Sequence, residues 1–121
     1  MAKILAVDDS PAIRKMVASV LKNAGHSLTS AEDGIEASRV ANEDSFELII
    51  TDVHMPNMNG IELIETLRQR PGYQHTPMLV LTTESSMEMK QKGRAAGATG
   101  WIVKPFNPES LIAAVSKVLG R

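Results

Sequence analysis

The chain has 121 residues, 43% of them hydrophobic, and a formal net charge of −1. That length suits one domain of ordinary size and is too short for two. The near-neutral balance offers no strongly basic surface for nucleic acid or an anionic membrane, and the absence of cysteine excludes disulfides and thiolate chemistry.

The sequence opens Met1-Ala2-Lys3-Ile4-Leu5-Ala6-Val7, one positive charge and a short apolar run that Asp8 and Asp9 interrupt. The run is too short for a signal-peptide core or a membrane span, so a soluble, cytoplasmic protein is expected. Residues 4–7 read as a first strand. Ser10 can cap a first helix with Pro11 at its first position, and Gly25 ends it. Its apolar face is Ile13, Met16, Val17, Val20, Leu21 and Ala24. Residues 27–30 contain one large apolar residue, Leu28, and read as an edge strand. Asp33 with Glu36 forms a capping pair opening a second helix. Residues 46–51 are a third strand, apolar enough to be buried on both faces. Asn59 with Glu62 opens a third helix whose inner face is Leu63, Ile64 and Leu67. Residues 78–81 form a fourth strand, Ser85 with Glu88 opens a fourth helix, and residues 101–103 form a fifth strand. Asn107 and Pro108 open the last helix, with Leu111, Ile112, Val115, Val118 and Leu119 inward and Gly120 closing it.

Five strand–helix units in strict alternation predict an α/β fold, a doubly wound parallel sheet with helices on both faces. The common order for five such units is 2-1-3-4-5, as in flavodoxin. Ligands then bind between strands 1 and 3, outside the carboxyl ends of the strands.

The residues that follow the strands are polar. Asp8 and Asp9 follow the first, Asp52 the third, Thr82 the fourth and Lys104, then Pro105, the fifth. Three carboxylates therefore converge at one edge of the sheet, where they repel one another unless a cation intervenes. Mg²⁺ is such a cation: it takes oxygen ligands, and it uses one or two carboxylates together with phosphate oxygens. Lys104 can pair first with Asp52 and then with a phosphoryl oxygen. Thr82 supplies a hydroxyl, and a carboxylate can act as the nucleophile to give an aspartyl phosphate. Taken singly, each residue has a plainer reading: a helix N-terminal acidic pair for Asp8 and Asp9, a solvated lysine for Lys104, a cap for Thr82, a core residue for Trp101. It is their common register that favours the chemistry. His26, His54 and His75 show no metal-ligand spacing, Asn57-Met58-Asn59-Gly60 lacks the first ligand of a calcium loop, and no dinucleotide or phosphate-loop fingerprint is present.

The segments Val7-Asp8-Asp9-Ser10, Ile50-Thr51-Asp52-Val53-His54-Met55-Pro56-Asn57-Met58-Asn59-Gly60, Leu81-Thr82-Thr83-Glu84 and Val103-Lys104-Pro105-Phe106 resemble the receiver domains of two-component response regulators. The resemblance spans the whole chain, and a chemotaxis member of that family is itself a standard example of the 2-1-3-4-5 order. It implies that Asp52 accepts a phosphoryl group from a sensor histidine kinase. It implies Mg²⁺ held by Asp8, Asp9, Asp52 and the backbone carbonyl of His54, with Asp9 a direct ligand and Asp8 acting through water. Thr82 and Lys104 would hold the phosphoryl group, the Lys104–Pro105 bond would be cis, and Thr82 with Trp101 would form the switch.

The resemblance further implies a flavodoxin-like single receiver domain over residues 1–121 with no output domain. Such a domain is no enzyme beyond its own phosphoryl transfer and dephosphorylation. It would signal through helix 4, strand 5 and helix 5 to a downstream protein, and the chain looks most like the chemotaxis type that acts on the flagellar motor switch. No nucleic-acid or membrane partner is implied. Two positions depart from the usual pattern. Thr83 replaces a small residue and Trp101 replaces tyrosine or phenylalanine, so Thr83 is expected to restrict inward rotation of the indole. His54 and Glu84 flank the site where family members differ in dephosphorylation rate, and Lys90, Lys92 and Arg94 read as a solvated helix face that could also favour an acidic partner. A phosphorelay intermediate or phosphate sink would use the same site. An aspartate-nucleophile phosphatase needs Asp-x-Asp where Asp8-Asp9-Ser10 stands, and a flavin carrier needs a hydroxyl- and glycine-rich loop there.

Overall fold

A computed structural model describes residues 1–120. Strands and helices alternate: β1 (Lys3–Val7), α1 (Pro11–Asn23), β2 (Ser27–Ala31), α2 (Gly34–Glu43), β3 (Leu48–Thr51), α3 (Gly60–Arg68), β4 (Met78–Thr82), α4 (Met87–Ala96), β5 (Gly100–Val103) and α5 (Pro108–Leu119). All neighbouring strands pair in parallel in the order β2-β1-β3-β4-β5, as the alternation predicts.

Successive strand side chains point to opposite faces, and here they fill two separate cores. Leu5, Val7, Ile49, Met78 and Val80 pack with Leu63, Ile64 and Leu67 of α3 and Ala37 and Ala41 of α2. Ile4, Ala6, Leu48, Ile50, Leu79 and Leu81 pack with Val17 and Leu21 of α1 and Leu111 and Val115 of α5. Trp101 joins the first core and Ile102 the second, so the neighbours on β5 face opposite ways.

The caps are mostly those expected from the sequence. Ser10, Asp33, Asn59 and Asn107 each accept a backbone N–H of the following helix, and Asn59 with Glu62 completes a reciprocal capping box. The fourth helix differs: Ser86 rather than Ser85 is the cap, its hydroxyl accepting from Met89 N–H at 3.2 Å. Glu88 stands three residues after Ser85, but the hydroxyl that reaches an N–H is one residue further on. β3 begins at Leu48; Phe46 lies just before it and is still buried in the core. On α1, Met16 is 49% exposed and Ala24 exposed, because α1 packs with Val17 and Leu21 against the sheet. A short 3-10 turn at Pro71–Tyr73 is not signalled by the sequence pattern. It carries a buried Tyr73 whose hydroxyl donates to the carbonyls of Ala41 and Asp44. Among the described residues no helix is long and apolar enough to cross a membrane.

Candidate functional site

Register brings the acids together. Val7 of β1 lies opposite Thr51 of β3, so Asp8 and Asp52 leave adjacent strands at the same level. The backbone ladder runs past both ends: Asp52 N–H donates to Val7 O at 3.0 Å and Asp8 N–H to Ala31 O at 3.1 Å. Asp8 and Asp52 are buried and Asp9 is exposed. One carboxylate oxygen from each of the three lies within 4.8 Å of the others.

Asp52 is held closely. Its carbonyl accepts the Thr51 hydroxyl at 2.8 Å. α3 starts hard against that carbonyl, where a Cβ on Gly60 would stand 1.9 Å from Asp52 O, so no larger residue fits. Its Oδ1 accepts Val53 N–H at 2.6 Å and His54 N–H at 3.4 Å. Its Oδ2 accepts Lys104 Nζ at 3.0 Å, while the same ammonium donates to Asp8 Oδ2 at 2.7 Å. Burial disfavours a charged lysine. The hydrogen bonds and charges of Asp8 and Asp52 outweigh it, and the Lys104 pKa is raised above its ordinary value. The Lys104–Pro105 bond is cis.

Thr82 ends β4, fully buried, with its hydroxyl accepting Glu84 N–H at 3.3 Å. The loop after it is tied on two sides. Glu84 Oε2 meets His54 Nε2 at 3.1 Å across the mouth of the site. That bond, with a second from Ser86, holds the Glu84 carboxyl below its ordinary range. The Glu84 carbonyl accepts the Trp101 indole N–H at 2.9 Å. The indole rests on Gly93 of α4, where a Cβ would lie 2.6 Å from ring atom Cζ3. Thr83 is exposed, and the indole in this structure is held by Gly93 and the Glu84 carbonyl.

The structure thus gathers Asp8, Asp9, Asp52 and Lys104 at one point, with Thr82 at the end of the next strand and Trp101 one loop away. The donor set suits a hard dication. It offers oxygens only, and three carboxylates against one ammonium leave excess negative charge. Asp9, exposed, and Asp52 are placed to hold it, with the His54 carbonyl on the same loop.

The family model for the response regulator receiver domain matches residues 4–116. The chain belongs to this family. As a receiver it has relatives throughout its length. Chemotaxis protein CheY-3 of Vibrio cholerae is 35% identical over 120 residues, covering 98% of this chain and 92% of the relative. The chemotaxis protein CheY homolog of Campylobacter jejuni is 36% identical with the same coverage. The solved structure of chemotaxis protein CheY4 of Vibrio cholerae superposes with a TM-score of 0.94 at 52% identity, over 98% of each chain. One residue at the receiver site carries no signal in the motifs: Arg14 Nη1 donates to Asp8 O at 2.6 Å. Only its place four residues into a capped helix, where a cation is disfavoured, could have drawn notice.

Proposed function

We propose that this receiver is a phosphorylation-activated switch in chemotaxis, with Asp52 the phosphoacceptor. The observation that carries the reading is Lys104, whose one ammonium bridges Asp8 and Asp52 at the buried edge of the sheet. An Asp52 oxygen attacks the phosphorus of a phosphohistidine on a sensor kinase. The P–N bond breaks, and the imidazole leaves with the bond's electrons and takes up a proton. Lys104 is already oriented and charged, so it passes from the Asp52 carboxylate to a phosphoryl oxygen without leaving Asp8. Val53 N–H holds the second Asp52 oxygen in place.

Asp8, Asp9, Asp52 and the His54 carbonyl would hold Mg²⁺, which when bound neutralises charge on the phosphoryl oxygens. The Thr82 hydroxyl, now an acceptor, turns to donate to the phosphoryl group and so releases Glu84 N–H. That frees the loop bonded to Trp101, and the change leaves through α4, β5 and α5 by contact with another protein. The CheY relatives, at 35% to 52% identity, support a chemotaxis pathway: a histidine kinase upstream, the flagellar motor switch downstream, and a cytoplasmic protein acting as one receiver domain without catalysis beyond its own site.

The test is intact mass after incubation with Mg²⁺ and acetyl phosphate. One added phosphoryl group, lost in Asp52→Asn, is the expected result; equal labelling of that variant would refute the assignment. Pull-down of the motor switch protein, stronger with labelled than unlabelled chain, checks the downstream partner.

A further inference from the structure

A cation near the start of a helix opposes the helix dipole, whose N-terminal end is partially positive. α1 nevertheless carries Arg14 at its fourth position and no acidic residue in its first turn. Helical side chains lean toward the N-terminus. Arg14, half-buried, accordingly reaches back over the β1–α1 turn to the Asp8 carbonyl at 2.6 Å. Asp8 is thereby held at four points. Its N–H donates to Ala31 O at 3.1 Å, its Oδ1 accepts Ser10 N–H at 2.9 Å, its Oδ2 accepts Lys104 at 2.7 Å, and its carbonyl accepts Arg14. Three of these partners belong to the backbone frame or to the site already described. Arg14 alone reaches the turn from the body of α1, and it ties that helix to the peptide between Asp8 and Asp9.

We propose that Arg14 is a positioning residue of the phosphoryl-transfer site. Its guanidinium fixes the β1–α1 turn so that Asp8 and Asp9 present their carboxylates toward Asp52. This rests on the reading of the site as a Mg²⁺-dependent phosphoacceptor. Geometry and charge predict opposite outcomes, which makes the role testable. A nearby cation repels Mg²⁺, so by charge alone the loss of Arg14 tightens metal binding. By positioning, its loss lets the acidic turn loosen and binding weakens. An outer partner that orients ligands commonly contributes roughly 10- to 100-fold in metal affinity.

Arg14→Met keeps most of the stem and removes the donor; Arg14→Lys keeps the charge and one donor. Mg²⁺ affinity is measured by titration calorimetry on the folded proteins, and labelling by intact mass with acetyl phosphate at low and saturating Mg²⁺. The expected result is about a 10-fold weaker Mg²⁺ affinity in Arg14→Met, slow labelling that saturating Mg²⁺ largely restores, and partial rescue in Arg14→Lys. If Arg14→Met does not fold, Arg14→Gln, which removes the charge and is too short to keep the same reach to the Asp8 carbonyl, decides: weaker Mg²⁺ binding than the parent supports the positioning role, and parent-like or tighter binding overturns it. Unchanged or tighter Mg²⁺ binding in Arg14→Met overturns the proposal, as does a labelling defect that persists at saturating Mg²⁺ with unaltered affinity. A parent protein that binds no Mg²⁺ and takes no phosphoryl group overturns the site reading itself, and the proposal with it.

Discussion

β1, β3 and β4 are buried along almost their whole length, whereas β5 is half-buried at Gly100, Trp101 and Ile102 and reaches 39% exposure at Val103. The helices follow suit. α3 buries Gly60, Leu63, Ile64 and Leu67, while α4 buries Gly93 and leaves Met87 70% exposed. The three carboxylates sit at the ends of the tightly packed strands, whereas the proposed output face combines lightly packed α4 and β5 with α5, whose Leu111 and Val115 are fully buried. Elements with few buried apolar contacts open and shift most easily. The fold therefore sets a more rigid half, which carries the acids, beside α4 and β5, the looser elements of the proposed output face. Lys104, immediately after β5, crosses between them with one ammonium on Asp8 and Asp52.

The largest expected effect tests the packing difference itself. Ile49→Ala in β3, fully buried, should cost about 4 kcal/mol, and Ile102→Ala in half-buried β5 roughly 1–2 kcal/mol. Urea unfolding of both variants measures this, and equal losses would erase the contrast. Next comes the link. Lys104→Met should slow labelling by acetyl phosphate about 100-fold, the usual effect of losing one donor aimed at developing charge. Labelling within a few-fold of the parent would show that the halves are joined some other way.

A smaller effect is expected at the seat of the indole. A Cβ at Gly93 would lie 2.6 Å from Trp101 Cζ3, so Gly93→Ala should displace the ring at a cost of about 1–2 kcal/mol. The emission of this single tryptophan should shift to the red, and Asp52 labelling should stay within about two-fold, since α4 lies outside the rigid half. An unshifted spectrum would mean that the ring does not depend on Gly93. The smallest belongs to Asp33, which caps α2 on the rigid side. Its carboxyl is held below the usual range, first by Glu36 N–H and then by the Asn57 amide. A depressed carboxylate stabilises the fold above its unfolded pKa, near 4, and that contribution fades as pH falls through the lower folded value. Asp33→Ala should therefore cost about 1 kcal/mol at pH 7 and much less near pH 2, as read from paired thermal melts.

Much of this architecture was legible because period and punctuation agree. The strands of β1, β3 and β4 are continuous aliphatic runs, and Ser10, Asp33, Asn59 and Asn107 carry the side chains a helix start needs. The convergence of Asp8, Asp9, Asp52 and Lys104 followed from strand ends alone. What escaped was decided by three-dimensional fit. Ser85 and Ser86 are equivalent caps in sequence until one hydroxyl reaches an N–H. The seat of Trp101 was hidden for the same reason, because nothing in the sequence shows that Gly93, eight residues before the indole, lies beneath it. Arg14 donates to a main-chain carbonyl, an acceptor that every residue possesses, so no side-chain pattern marks it.

The clamp on Asp52 has a consequence for rate. Its carbonyl is caught between the Thr51 hydroxyl and the start of α3 at Gly60, and its Oδ1 is bonded to Val53 N–H. Neither its backbone nor its carboxylate plane is free to turn. A carboxylate in water must give up rotational freedom each time it lines up with a phosphorus atom, and that loss is part of its activation barrier. Here the loss occurs once, when the chain folds, and does not recur at each encounter. For the attack proposed for Asp52, the unfavourable activation entropy is correspondingly smaller, so a donor as small as acetyl phosphate, which brings little binding surface of its own, should suffice to charge the site.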